Sequence, residues 1–229
     1  MPPVYAVRVA NVPDEGELSP PTPLDHWNGV WDRADPDRVS WFEPRPEESL
    51  RLMEAAEVGS DVGILDVGGG ASLLARQLLH AGYTDLTVLD ISADGLAAGR
   101  ERLGSRASEV EWIRADVCEF DPPRTWDLWH DRAVFHFLIR VEDRAAYLET
   151  LDRALAPGGK VLLATFGPEG PVRCSGLDVR RYSVESLADE LGAGFRLDDS
   201  SLQEHVTPAG EIQQFLYVRL SRSRGSGSG

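Results

Sequence analysis

Cysteine is scarce in this chain, with two residues, Cys118 and Cys174, among 229. Two widely separated cysteines cannot build a disulfide framework, and they lack the close spacing of a zinc or iron–sulfur site. Long apolar runs are missing as well, since no stretch approaches the about 20 residues that a membrane span requires. No basic-then-apolar signal pattern is present at the N-terminus. These absences predict a cytoplasmic protein with no membrane partner and no bound metal.

Basic residues are also few. The 23 Lys and Arg residues against 38 Asp and Glu give a net charge of -15 and a pI near 4.7. A protein that binds nucleic acid normally carries a basic stripe, so we expect no nucleic-acid partner. The 42% hydrophobic and 27% charged residues are typical of a globular protein, and the length allows one generous domain.

Composition divides the chain into four segments. Residues 1–23 are rich in proline and acids and are predicted to be a mobile N-terminal arm. Residues 24–60 are rich in aromatics and include an amphipathic helix pattern over 47–58, which predicts a helical cap or lid. The main domain is predicted over residues 61–221, and residues 222–229 are typical of a linker.

Strand and helix patterns alternate through the main domain. Strands are predicted at 63–67, 86–91, 110–114, 126–130 and 160–166. Helices are predicted at 73–81, 93–103, 142–155 and 184–191. This alternation predicts an α/β fold with a mostly parallel, doubly wound sheet. Two further strands, 195–206 and 212–220, are joined only by TPAGE, so they are predicted to be antiparallel neighbours, because a parallel crossover needs about a dozen residues.

A glycine cluster follows the first predicted strand, in the stretch ILDVGGGAS. The dinucleotide fingerprint G-x-G-x-x-G is incomplete, because Leu73 stands in the place of its last glycine. What is present is Asp66-x-Gly68-x-Gly70, with Gly69 between, a turn that lets a ligand approach the backbone closely. An acid beside such a turn suits a ligand that carries an ammonium group and no phosphate, as S-adenosylmethionine does.

Two further acids end the next two predicted strands. Asp90 ends the stretch VLD, where a carboxylate can accept two hydrogen bonds from ribose hydroxyls, although NAD sites use an acid in the same way. Asp116 can accept a hydrogen bond from an adenine amino group, with the Val117 amide nearby and Ile91 against the ring. Three acids at successive strand ends therefore predict one adenosyl ligand.

The segments ILDVGGGAS, VLDIS, RADV, WDLWHDRAVFHFL and LAPGGKVLLATF together resemble the successive motifs of class I S-adenosylmethionine-dependent methyltransferases, over roughly residues 61–220. The resemblance implies a Rossmann-like seven-stranded sheet in the order 3-2-1-4-5-7-6 with strand 7 antiparallel. It also implies S-adenosyl-L-methionine as cofactor and S-adenosyl-L-homocysteine as product. The segment HWNGVWDRADPDRVSWFEPRPEESLRLM resembles the cap of a bacterial type 12-like subgroup.

In this fold the transferred methyl group should lie at the end of the fourth strand, which reads WHDRAVFHF. His130 and His136 are candidates to accept a proton there, since an unperturbed imidazole has a pKa of about 6.5. Asp131 is a candidate to orient one of them or to anchor the substrate, and His130 is also predicted to contact the cofactor. The open alternative is that His136 is a packed residue and that His130 caps a strand.

Residues on both flanks of the domain are candidates for acceptor binding. Aromatic faces of the cap can close over a cofactor or attract a cation, or they can simply pack the cap against the core. The loop FGPEGPVRCSGLDVRRYS offers arginines that can clamp an anion. The predicted substrate residues are Trp27, Trp31, Trp41, Arg173, Cys174, Arg181, His205 and Gln213.

Three functions fit these features. We expect an enzyme that transfers a methyl group to nitrogen, sulfur or oxygen of a small-molecule acceptor, acting as a monomer or homodimer. The first alternative is a protein lysine methyltransferase, because an acidic surface would attract basic targets, although the lysine enzymes' acceptor motif, an acid or Asn followed by Pro-Pro, is absent after the fourth strand. The second is a catalytically inactive S-adenosylmethionine-binding module.

Overall fold

The structure is a computed structural model that describes residues 22–223. The predicted mobile arm lies outside the described residues except for Thr22 and Pro23, and the predicted tail lies outside them except for Arg222 and Ser223. Between Thr22 and Ser223 no helix is both long enough and apolar enough to cross a membrane.

Helices and strands alternate along the described chain. The helices are α1 (Pro23–Trp31), α2 (Glu47–Ala55), α3 (Leu74–His80), α4 (Ala93–Leu103), α5 (Val141–Ala154) and α6 (Val184–Leu191). The strands are β1 (Gly63–Val67), β2 (Asp85–Asp90), β3 (Val110–Arg114), β4 (Trp126–Arg132), β5 (Leu155–Phe166), β6 (Arg173–Cys174), β7 (Leu177–Asp178), β8 (Phe195–Val206) and β9 (Ile212–Arg222).

Seven of these strands form one sheet in the order β3-β2-β1-β4-β5-β9-β8. Strands β1 to β5 pair in parallel, whereas β9 runs antiparallel to both β5 and β8. When the two short strands β6 and β7 are left out of the numbering, this is the order 3-2-1-4-5-7-6. The predicted fold class is therefore confirmed, including the antiparallel last strand.

Helical crossovers make the middle strands parallel and bury them on both faces. All five residues of β1 are buried, as expected for a strand covered by helices on both faces. One core cluster joins the sheet to α2 and α3, and it includes Leu52, Met53 and Leu78. The other joins the sheet to α5 and α6, and it includes Leu151 and Leu187. Each fully buried side chain of this kind contributes about 1.5–3 kcal/mol to folding.

Strand register brings the predicted site residues to one edge of the sheet. Asp66 of β1 is the direct partner of His130 in β4, and Asp90 ends β2 beside Arg114 of β3. Parallel strands end on the same side of a sheet, and in open α/β sheets ligands bind at that edge.

Helix α1 was not predicted from the sequence. It begins with a capping box in which Thr22 and Asp25 satisfy each other's backbone N–H groups. Its N-terminal residue, Pro23, belongs to the segment predicted as an arm. None of its residues is buried. Trp27 and Trp31 stand at helical spacing, a pattern that the sequence analysis did not use.

A small hairpin, β6–β7, interrupts the predicted loop after β5. Its turn residues Ser175 and Gly176 have φ values of 50° and 80°, which are the two positive values that a tight hairpin turn requires. The segment therefore has a regular structure that its proline and glycine content did not predict.

Candidate active site

The glycine loop after β1 is built for close packing. Gly68 and Gly70 have φ values of +67° and +35°, which favour glycine. A Cβ on Gly68 would collide with the side chain of Val134, and one on Gly69 would collide with the carboxylate of Asp66. The run of three glycines is thus required by both backbone conformation and space.

A buried hydrogen-bonded chain lies beside this loop. Asp66 Oδ1 is 2.7 Å from His130 Nδ1, and His130 Nε2 is 2.9 Å from Ser49 Oγ in α2. With Nδ1 donating to the carboxylate, a neutral ring can accept the Ser49 proton at Nε2. Asp66 Oδ2 is buried and has no partner within the described residues, and such an atom costs free energy unless a donor reaches it.

Asp90 lies at the end of β2 in a desolvated position. Its Oδ1 accepts a hydrogen bond from the Ser92 N–H at 2.8 Å. Burial raises the pKa of Asp90 to about 7, and the nearby charge of Asp66 acts in the same direction, against hydrogen bonds from Ser92 and Gly70. The structure therefore brings the first two predicted acids close enough to interact.

The third acid lies at the same edge of the sheet. Asp116 follows the end of β3, and its Oδ1 accepts a hydrogen bond from the Cys118 N–H at 2.9 Å. Val117 beside it is buried, and Ile91 is half-buried. These residues lie along the ends of β2 and β3, where the sequence predicted an adenine ring.

Asp131 faces away from this site. Its Oδ1 accepts from the Val134 N–H at 2.8 Å, and its Oδ2 accepts from the Phe135 N–H at 3.1 Å and from the Tyr147 hydroxyl at 2.6 Å. Successive residues of a strand point to opposite faces, so Asp131 lies on the other side of β4 from His130. Burial raises its pKa to about 6. Asp66, and not Asp131, is the acid that orients a histidine.

His136 is packed inside the protein. Its ring centroid lies 4.5 Å from those of Phe137 and Phe166, and its Nδ1 accepts a hydrogen bond from the Phe166 N–H at 3.2 Å. Its Nε2 is buried without a partner in the described part of the chain. Burial, aided by the charge of Arg132, lowers the pKa of His136 to about 3. The ring is therefore neutral and a weak base.

The three predicted tryptophans of the cap form one aromatic group. Trp41 lies edge-to-face with both Trp27 and Trp31, at centroid distances of 5.9 and 6.0 Å. Trp27 also packs edge-to-face on Phe137, at 5.0 Å. These contacts attach α1 to the segment that follows β4.

Three other predicted substrate residues meet near Phe215 of β9. His205 lies 6.0 Å from the Phe215 ring, and its Nε2 is 2.7 Å from the Ser40 carbonyl oxygen. Gln213 is its direct cross-strand partner, and its Oε1 is buried and unpaired within residues 22–223. Cys174 is buried in the same core, and burial raises the pKa of its thiol to about 11.

The two predicted arginines of the loop after β5 are turned to local contacts. Arg173 donates to the Gly176 carbonyl oxygen at 2.6 Å and pairs with Asp178 at 3.2 Å. Arg181 donates to the Gly170 carbonyl oxygen at 3.3 Å. Both stabilise their own loop. Within the described residues, no three His, Cys, Asp or Glu side chains are grouped to hold a metal ion.

A pocket, here called the central pocket, lies between the cap and the end of the sheet. Its lining includes Trp31, Trp41, Phe42, Glu43, Ser49, Asp66, Gly68, Gly69, His130 and Arg132. A second depression near Lys160 and Arg196 is wide open and contains none of the predicted site residues. The central pocket is therefore the candidate active site.

The residues of the central pocket that the sequence analysis missed include Glu43, Ser49 and Arg132. A signal existed for Arg132, because it stands two positions after His130 and so lies on the same face of β4. Nothing in the sequence distinguishes Ser49 from other serines of an amphipathic helix.

Known methyltransferases resemble this chain in sequence. A family model described as a methyltransferase domain matches residues 64–159. The chain is 32% identical over 180 residues to the ubiquinone/menaquinone biosynthesis C-methyltransferase UbiE of Methylobacterium nodulans, covering 72% of this chain and 69% of that protein.

Two other relatives are matched over a smaller share of their length. Malonyl-[acyl-carrier protein] O-methyltransferase 2 of Ilyobacter polytropus is 27% identical over 46% of this chain, which spans 40% of that protein. The eEF1A lysine and N-terminal methyltransferase of Mus musculus is 31% identical over 60% of this chain, which spans 20% of that protein.

The fold is shared with solved methyltransferase structures. The N-methyltransferase NodS from Bradyrhizobium japonicum, solved with S-adenosyl-L-homocysteine, superposes with a TM-score of 0.63 at 18% identity, covering 86% of this chain and 99% of that one. With the match to UbiE extending over two thirds of that relative, the chain belongs to the class I S-adenosylmethionine-dependent methyltransferases.

Proposed function

We propose that the chain transfers the methyl group of S-adenosylmethionine to nitrogen, sulfur or oxygen of a small-molecule acceptor. The observation that carries the proposal is the unpartnered Oδ2 of Asp66, buried beside a loop of three glycines in the central pocket. A carboxylate oxygen and an ammonium group form a strong, charge-assisted hydrogen bond.

The residues present fit this cofactor. The amino-acid end would lie against the glycine loop, where any side chain on Gly69 would collide with the Asp66 carboxylate. The ribose hydroxyls would bind Asp90 at the end of β2, and the adenine would lie beside Ile91, Asp116 and Val117, which follow the ends of β2 and β3. A carboxylate at Asp90 can accept two hydrogen bonds from a diol.

Bound S-adenosylmethionine supplies an electrophilic methyl group, and the chain's own residues position and shield the reactants. His130 holds Asp66 in place through Nδ1, and Ser49 holds His130 through Nε2. Trp31 and Trp41 line the central pocket, and their rings would shield a bound sulfonium from water. Alignment of this kind is the main requirement for an in-line displacement.

Both histidines were predicted as proton acceptors, and the contacts favour different roles for them. His130 lines the central pocket but is occupied at both ring nitrogens, which suits a positioning residue. His136 is wholly buried among Phe side chains, and its pKa is about 3. Both features suit a structural residue. An acceptor that arrives unprotonated needs neither of them as a base.

The covered pocket also supports a small acceptor over a polypeptide. Trp41 contacts both Trp27 and Trp31 above it, and a lysine held on a protein surface would need a wider opening. The relation to an eEF1A lysine methyltransferase keeps the protein acceptor as an alternative for the test.

The experiment has two stages. Calorimetry first measures S-adenosylmethionine binding to the chain, to Asp66→Asn and to Asp90→Ala, with the exposed Asp189→Asn on α6 as the charge-matched control. We expect saturable binding that the first two variants weaken by about tenfold or more, since each loses a buried charged hydrogen bond. Full affinity in both variants would exclude this site.

The second stage incubates the chain with methyl-labelled cofactor and an extract that contains metabolites and proteins. Label in small molecules supports the proposal. Label in polypeptide supports the lysine alternative, and binding without any transfer supports the inactive module.

A further inference from the structure

Arg132 is a largely buried cation, with 11% of its side chain exposed, in the lining of the central pocket. It ends β4, two residues beyond His130 on the same strand face. Residues two apart in a strand are separated by about 6.6 Å, so Arg132 lies one pleat further along the strand than the residue that contacts Asp66. If Asp66 holds the cofactor's ammonium, Arg132 lies toward the acceptor side of the pocket.

The guanidinium of Arg132 is held rigidly. Its Nε donates to the Tyr217 hydroxyl at 2.9 Å, and its Nη1 donates to the Trp41 carbonyl oxygen at 2.9 Å. Its Cζ lies 4.6 Å from the centre of the Phe215 ring. A fixed fork of this kind loses little entropy when a planar anion binds to it.

The Nη2 atom of Arg132 lacks a well-aligned hydrogen-bond acceptor within the described residues. Glu43 Oε1 lies 3.0 Å from Arg132 Nη2, but the pair is misaligned, and Nη2 has no hydrogen bond within the described residues. A misaligned N–H gains little from a short contact. Glu43 lies in an irregular segment between α1 and α2, so it can move away without breaking a helix.

The side chains around Arg132 do not compete with it for an anion. Burial lowers the pKa of His136 and of His205, and the charge of Arg132 lowers both further. The His136 imidazole is therefore neutral near pH 7. The only carboxylate that contacts Arg132 in the described chain is that of Glu43.

From these contacts we infer that Arg132 recognises a carboxylate on the methyl acceptor, which displaces Glu43 from the guanidinium. Trp41 and Phe42 of the same pocket fit an aromatic or apolar body attached to that carboxylate. The inference rests on the proposed function and names its substrate class. Glu43 then serves as an internal substitute that fills the anion position when no acceptor is bound.

Calorimetry on the protein saturated with S-adenosylhomocysteine tests this, with benzoate as the probe and benzamide as its uncharged counterpart. We expect benzoate to bind about tenfold tighter than benzamide, the difference that a charge-assisted pair adds. Arg132→Gln should remove this preference, while S-adenosylhomocysteine still binds with an affinity lowered by less than about tenfold, because Arg132 holds Trp41 but contacts no group assigned to the cofactor. Glu43→Gln should strengthen benzoate binding severalfold, because the competing carboxylate is gone.

Matched controls are the exposed Arg196→Gln, which removes one positive charge far from the pocket, and the exposed Glu47→Gln. If Arg132→Gln fails to fold, Glu43→Gln tests the inference alone, since Arg132 is intact in that variant. Equal binding of benzoate and benzamide to both the native chain and Glu43→Gln would overturn the inference. A loss of more than tenfold in S-adenosylhomocysteine affinity in Arg132→Gln would also overturn it, by assigning Arg132 to the cofactor. Absence of S-adenosylhomocysteine binding to the native chain would instead overturn the proposed function.

Discussion

His130 holds Asp66 across neighbouring parallel strands, with Nδ1 2.7 Å from Oδ1. The two residues are direct register partners in β4 and β1, and both are buried. Ser49 extends the contact to α2. The orientation of the acid beside the glycine loop therefore depends on the strand pairing and on the packing of α2.

Removing the Ser49 hydroxyl tests this dependence. Ser49→Ala leaves His130 Nε2 buried without a donor, and we expect a loss of about 1–3 kcal/mol in unfolding free energy. S-adenosylmethionine affinity should fall less in Ser49→Ala than in His130→Ala, which frees Asp66 directly. Urea unfolding and calorimetry measure the two effects, with the exposed Ser105→Ala as control. An unchanged cofactor affinity in His130→Ala would contradict the positioning role.

A series of glycine variants separates backbone strain from steric collision. Gly194→Ala meets open space at an ordinary φ, Gly82→Ala meets open space at φ +91°, and Gly68→Ala combines φ +67° with a collision against Val134. We expect little loss in the first, about 1–2 kcal/mol in the second from the left-handed conformation, and more in the third. Only Gly68→Ala should lose cofactor binding. Equal losses in Gly82→Ala and Gly68→Ala would show that the collision is relieved.

Asp90 should make the protein less stable as pH rises. Its folded pKa of about 7 lies above the ordinary value of 3.8, so the folded state binds more protons than the unfolded state between these pH values. The free energy of unfolding then decreases through this window and levels off above pH 7. Asp90→Asn should be more stable than the native chain at pH 8, by about 2–4 kcal/mol, and the difference should shrink toward pH 4. Urea unfolding at several pH values measures this, with Asp189→Asn as control. A difference in unfolding free energy between Asp90→Asn and the native chain that stays constant with pH would refute the prediction.

His136 should have the opposite effect on the pH dependence of stability. Its folded pKa of about 3 lies below the ordinary 6.5, so the unfolded state binds more protons between these values. Stability is then lost as pH falls below about 6.5. His136→Gln should lose less stability than the native chain between pH 7 and pH 4. Because the ring is neutral in the folded state, His136→Gln should also leave unchanged any dependence of the methyl-transfer rate on pH between 6 and 7. Loss of such a dependence in this variant would identify His136 as a base.

Much of the fold was predictable because local patterns and tertiary packing agree. The bounds of β1, β3, α4, α6 and β8 coincide with the predicted ranges, and each of these elements is framed by a turn, a cap or a change of period. The cap was harder to predict. Helix α1 buries none of its residues, so its position depends on aromatic contacts such as Trp27 with Phe137, which join residues far apart in the chain.

The sequence by itself determined the strand and helix segments, the glycine loop and the acids at the strand ends, since these follow from periodicity and from the chemistry of single residues. The order of the strands in the sheet was implied by the resemblance to class I methyltransferases and confirmed by the structure. Only the tertiary structure decided that His130 faces Asp66 while Asp131 faces Tyr147. Alternation along β4 requires these neighbours to point to opposite faces, but which face meets the pocket is decided by the helices packed on each side. The same holds for Ser49 and Arg132. Their contacts with His130 and Trp41 join distant parts of the chain, so only the tertiary structure identified these two residues.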